Sequence, residues 1–115
     1  MDYDTMSRVL KAMADPRRLK IISLLSCGSM CACDVLEHFE FTQPTLSHHM
    51  KVLEQAKIVT VTKDRQWHYY ELNDMFTSNF MDELKELMIN NEKDCICHHK
   101  EINEGVNVNE SSNVI

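Results

Sequence analysis

Hydrophobic positions recur along the chain first at helical spacing, then at strand spacing, then at helical spacing again, and that order sets the expected elements. Met6, Val9, Leu10 and Met13 predict a first helix over residues 4–14. A second opens at Asp15, an N-cap residue followed by a proline at the first helical position, with Leu19, Ile22, Leu24 and Leu25 toward the core and Gly28 as its stop. Residues 30–53 predict two short helices with a tight connection. The first of these has Val35 and Leu36 on its buried side, extended by Phe39 and Phe41. The second starts from Thr42 as N-cap, accommodates Pro44 in its first turn and carries one buried stripe, Leu46, Met50 and Leu53, before ending near Ala56. At about 100° per residue, the opposite face presents Pro44, Ser47, His48 and Lys51, flanked by Thr45 and led by Gln43. Such side chains suit base edges and phosphates. His49, at the edge of the stripe, reads as packing.

Residues 58–63 and 67–72 alternate with β-branched and aromatic side chains and predict a hairpin. Its tip, Asp64, Arg65 and Gln66, has no glycine to define the turn, and Lys63 and Arg65 place two cations where a wing would cross a DNA backbone. Trp67, Tyr69 and Tyr70 read as packing within the hairpin. Asn73 or Asp74 caps a last helix reaching about residue 91, with Phe76, Phe80, Leu84, Leu87 and Met88 on one face. That face exceeds what one small core needs. With the apolar side of the first helix it predicts a two-fold interface, which a helix-turn-helix reader also requires, because its two half-sites lie about 34–36 Å apart. The expected fold is mainly α with a small β-hairpin, a dimeric winged helix-turn-helix. Residues 1–91 form its DNA-binding and dimerisation domain. Residues 92–115 are expected to be an acidic, disordered tail holding the cluster Cys95, Cys97, His98 and His99.

Composition narrows the chemistry. The length of 115 residues, with 43% hydrophobic and 26% charged residues, fits one ordinary globular domain and excludes a multidomain enzyme. No apolar run is long enough to span a membrane and the N-terminus is acidic, so a cytoplasmic protein is expected. The net charge of −6 is unusual for a DNA-binding protein, but it is concentrated after residue 70, while residues 41–70 carry two more cations than anions. Five cysteines, an odd number, with two Cys-x-Cys pairs, favour thiolate chemistry over a disulfide framework. An arsenate reductase or thiol oxidoreductase is disfavoured: there is no Cys-x-x-Cys, no phosphate-cradling loop ending in Arg, and only two glycines. Arg17, Arg18 and Lys20 read as a solvated basic face, with phosphate contact as the alternative.

The chain resembles the ArsR-type winged-helix repressors, which sense arsenite and other thiophilic metals. The resemblance rests on Asp-Pro-Arg-Arg-Leu at 15–19, Cys-Ala-Cys-Asp at 31–34, Gln-Pro-Thr-Leu-Ser-His-His-Met-Lys at 43–51 and Trp-His-Tyr-Tyr-Glu-Leu at 67–72, and covers residues 5–90. It implies a repressor of double-stranded operator DNA at an inverted repeat, acting as a homodimer with no membrane partner. It implies no permanently bound cofactor, with arsenite or antimonite as inducer held by Cys31 and Cys33. Cys27, or Cys95 and Cys97 of the tail, would supply a third thiolate. Residues two apart on a regular helix diverge by about 200°, so the two sulfurs could meet one ion only if the first turn loosens or lies in the entry loop, and binding is expected to distort the helix start. Relatives that sense zinc through the last helix use Asp and His ligands there, yet this chain has no His between Asn73 and Asp94. Cadmium and lead sensors add cysteines from an N-terminal arm, and none precedes Cys27. A sensor of cadmium, lead or zinc and a thiol redox-responsive repressor remain the alternatives.

Overall fold

The computed structural model describes residues 1–89, within which residues 1–83 form one compact unit and the chain from Leu84 begins a second. Helix α1 (Tyr3–Met13) is capped by Asp2, whose carboxylate accepts from the Thr5 amide at 2.8 Å. Helix α2 (Pro16–Leu25) opens as expected on Asp15, which accepts from the Arg17 amide, with Pro16 at the first helical position. Its buried residues are Ile21 and Leu25, whereas Leu19 is exposed. Ile21, Leu25 and Arg18 lie at three- and four-residue spacing on the inner face, and Leu19 falls two positions off it, so the predicted phase was displaced.

A short strand that the sequence pattern did not announce, β1 (Met30–Cys31), leads directly into α3 (Ala32–Leu36). Then come α4 (Gln43–Gln55), β2 (Val59–Asp64), β3 (Trp67–Leu72) and α5 (Asp74–Met88). The expected hairpin is the larger part of a three-stranded antiparallel sheet in the order β1-β3-β2. Tyr70 sits at its centre, facing Met30 on one side and Val61 on the other, and is 5% exposed. Of the three aromatics predicted to pack, Tyr70 does. Trp67 and Tyr69 are exposed, because the strand alternates and the central residue takes the inner face.

The core gathers Met6 and Val9 of α1, Ile21 and Leu25 of α2, Val35 of α3, the Leu46, Met50 and Leu53 stripe of α4, Ile58, Val59 and Phe80. The turn after α4 closes through bonds from the Lys57 amide to the Glu54 carbonyl and from the Ile58 amide to the Leu53 carbonyl, a Schellman arrangement. It requires a left-handed C′ residue, here Lys57 at φ 69°. On α1 and α5, Tyr3, Leu10, Met75, Met81, Leu87 and Met88 remain exposed; the helical pattern placed only Leu10, Leu87 and Met88 of these on the apolar faces, whereas Met6, Val9 and Phe80 of those faces are buried in the core. None of the described helices is long and apolar enough to cross a membrane.

Candidate nucleic-acid interface and metal centre

Helix α4 displays Gln43, Ser47, His48 and Lys51 to solvent, while Thr45 is half-buried. Thr42 occupies the N-cap without a side-chain bond to the helix amides; its hydroxyl lies 3.4 Å from that of Thr45. The first-turn amides of α4 therefore keep no side-chain cap, which leaves them for an anion such as a phosphate. The hairpin contributes Lys63 and Arg65, both exposed. Asp64 pairs with Trp67, so the turn is the two residues Arg65 and Gln66, with positive φ only at Arg65 (60°). Among the described residues, ion pairs involve only the N-terminus with Glu83 and Arg17 with Asp15, so Lys51, Lys63 and Arg65 carry no carboxylate partner there. An open groove of about 430 Å³ brings Ser47 and Lys51 of α4 together with Lys63 and His68 of the hairpin.

The basic start of α2 has a different use. Arg17 forks onto Asp15 through Nε at 3.2 Å and Nη2 at 3.0 Å, and that pairing holds the Asp15 carboxyl well below the usual carboxylate range. Arg18 turns inward. Its Nε donates to the Ala12 carbonyl at 2.6 Å and its Nη1 lies 3.1 Å from His49 Nδ1, which ties α1, α2 and α4 together. Lys20 donates to the His38 carbonyl and sits 4.9 Å over the Phe39 ring. Arg18 is thus structural, whereas Arg17 and Lys20 stay exposed as a solvated face would, each holding a contact of its own. His49 is buried as expected of a packing residue, at 3% exposure, and burial is the main cause pushing its pKa down, assisted by Arg17.

The thiol site corrects one expectation. Cys31 is the N-cap of α3 and is extended (φ −74°, ψ 152°) as the last residue of β1, while Cys33 lies in the first turn. The 200° divergence of a helix does not apply between them, and no distortion of α3 is needed to join them. Their Cα atoms are 5.4 Å apart and the structure links their sulfurs as a disulfide. The link encloses Ala32 alone and staples no distant elements. Both sulfurs and a carboxylate oxygen of Asp34 lie within 4.8 Å of one another, with Cys31 the more buried and Cys33 and Asp34 exposed. Once the link is reduced, two soft donors and one hard donor around a point fit a three-coordinate thiophilic ion. Asp34 was not singled out as a donor from the sequence, although it directly follows the second cysteine. Cys27 is exposed and outside this cluster, so it does not serve as core packing. Cys95 and Cys97 lie outside the described residues.

The two sites share a wall. A cavity of about 230 Å³ is lined by Cys33 of α3, Gln43 and Ser47 of α4, and Gln66, Trp67 and His68 of the hairpin. His68 borders both this cavity and the groove beside Lys51 and Lys63, a position that strand alternation alone does not reveal.

A three-stranded sheet flanking a helix-turn-helix pair whose second helix presents free polar and basic side chains defines a winged helix-turn-helix DNA-binding protein. Residues 15–61 match the model of the bacterial regulatory proteins of the arsR family. The chain is 46% identical to the arsenical resistance operon repressor of Staphylococcus aureus, over 84% of this chain and 92% of that one. It is 43% identical to the arsenical resistance operon repressor of Staphylococcus xylosus, over 90% and 99%. Among solved structures, a possible transcriptional regulator for arsenical resistance superposes with a TM-score of 0.64 at 25% identity, covering 72% of this chain and 85% of that one. HlyU from Vibrio cholerae N16961 superposes with a TM-score of 0.62 at 27% identity, covering 76% and 98%. The chain belongs to the ArsR family. It is a DNA-binding transcriptional repressor, not an enzyme.

Proposed function

We propose that the chain is a homodimeric cytoplasmic repressor that binds an inverted-repeat operator and is released when arsenite or antimonite is captured by Cys31 and Cys33. The observation that carries this reading is the cavity shared by Cys33 with Gln43 and Ser47 of the reading helix. In this reading α4 enters the major groove with Gln43, Thr45, Ser47 and His48 toward bases, Lys51 meets phosphate, and Lys63 and Arg65 meet the backbone from the wing. The exposed apolar residues of α1 and α5 supply the two-fold contact.

Arsenous acid condenses with the two reduced thiols, forming two As–S bonds and releasing two waters; hydroxide or Asp34 holds the third position. Cys27, Cys95 and Cys97 are the rival third donors. The bound ion lies against the wall formed by Gln43, Ser47 and the hairpin, so its capture displaces both DNA-contacting elements without unwinding α3. Moving a repressor from about 99% to 1% binding-competent takes roughly 5.5 kcal/mol of differential affinity, and structural thiolate zinc sites reach on the order of 10–16 kcal/mol. Part of such an affinity suffices.

The test is operator binding under arsenite. Cys31→Ser and Cys33→Ser should each bind operator normally without inducer and stay bound at arsenite concentrations that strip the parent. Trp67, the only tryptophan, lines the same cavity and should report binding as a fluorescence change in the parent alone. If the double variant is still released, the site lies elsewhere, with Cys95 and Cys97 next in line. The Cys31–Cys33 disulfide favours a second reading, in which an oxidant takes two electrons and two protons from the thiols and induction follows. Release by diamide but not by arsenite would select it.

A further inference from the structure

A second cavity, of about 480 Å³, opens between α1, the C-terminal end of α4 and the start of α5, and none of the cysteines or reading residues lines it. Its volume is in the range of small-molecule sites. Its floor is apolar, with Val9, Val52 and Phe76, and its rim carries Arg8, Lys11 and Lys57. No carboxylate lines it, although Asp and Glu outnumber Lys and Arg by 18 to 12 in the chain. The three cations have no ion-pair partner among the described residues; Arg8 donates only to the Thr5 hydroxyl, at 3.3 Å. On α1 the cavity side is also distinct from the exposed apolar side, since Arg8 and Leu10, two residues apart, point about 160° away from each other.

Lys57 adds an independent observation. It occupies the left-handed C′ position after α4, where glycine or asparagine is usual. The helix-terminating turn fixes this backbone, and it sets Lys57 in the lining of the cavity. We propose that this cavity binds a small organic carboxylate with an apolar tail, the anion held by Arg8, Lys11 and Lys57 and the tail laid on Val9, Val52 and Phe76.

Octanoate is the probe, titrated into the full chain by calorimetry. Saturable binding of one octanoate per chain is expected, with octanamide at least about tenfold weaker and inorganic phosphate unable to displace it. Arg8→Gln and Lys57→Gly should each weaken octanoate by about tenfold or more. Lys57→Gly relieves the left-handed strain, so its melting temperature should not fall, which separates lost affinity from lost folding. Equal affinity for octanamide, full displacement by phosphate or by a random DNA duplex, unchanged binding in both variants, or no saturable binding at millimolar octanoate would each overturn the site.

Discussion

His49 is the buried polar side chain of the described core, and its environment makes stability depend on pH. Arg18 occupies Nδ1, while Nε2 is buried without a partner. Burial first and Arg17 second lower its pKa from the ordinary 6.5; Asp15 opposes them, and Arg18 and His48 add lesser lowering effects. The unfolded chain therefore takes up a proton at higher pH than the folded one. Stability conferred by the neutral ring is fully present above about pH 6.5 and is lost as pH falls from there through the lowered folded value. Melting temperature should drop between about pH 7.5 and 5, and His49→Gln should flatten that slope. An unchanged slope in the variant would assign the dependence to other groups. At Lys57 the residue identity argued against the backbone it adopts. No local rule places lysine at a left-handed position, and only the whole turn, with Leu53 and Ile58 both buried, requires it.

At the scale of elements, the reading helix and the wing carry separable tasks. Base contacts discriminate, and phosphate contacts add affinity without discrimination. Ser47→Ala should reduce the preference for operator over random DNA. Arg65→Ala should weaken both alike and flatten the salt dependence by roughly one unit, as measured by titrating salt against each duplex. A loss confined to operator would move Arg65 from backbone to base contact. Helix α4 was legible in the sequence because its proline, its stripe and its outward polar face are all local signals. The entry into α3 was not. β1 is two residues long, too short for any alternation, and its extended geometry comes from pairing Met30 with Tyr70 and Cys31 with Tyr69 of a strand far along the chain. That pairing turns a helical Cys-x-Cys, whose sulfurs would diverge, into a strand-to-helix corner where they meet.

For the whole molecule, the proposed dimer rests on α1 and α5, so residues after the last helix should be dispensable for it. Ending the chain after Asn91 is expected to leave dimerisation and operator affinity intact, checked by light scattering and operator titration. A monomeric product would place part of the interface in residues 92–115. The sequence by itself determined the order of helices and hairpin, the buried stripe of α4 and its outward polar face, because each is a periodicity or cap readable within one segment. Tertiary structure alone decided that Asp34 joins the two sulfurs, that Cys33 shares a cavity with Gln43, Ser47 and His68, and that Arg18 serves the core instead of the surface. The last two outcomes depend on packing between segments distant along the chain, and the first on the pairing of β1 with a distant strand, which turns close neighbours in sequence into one cluster.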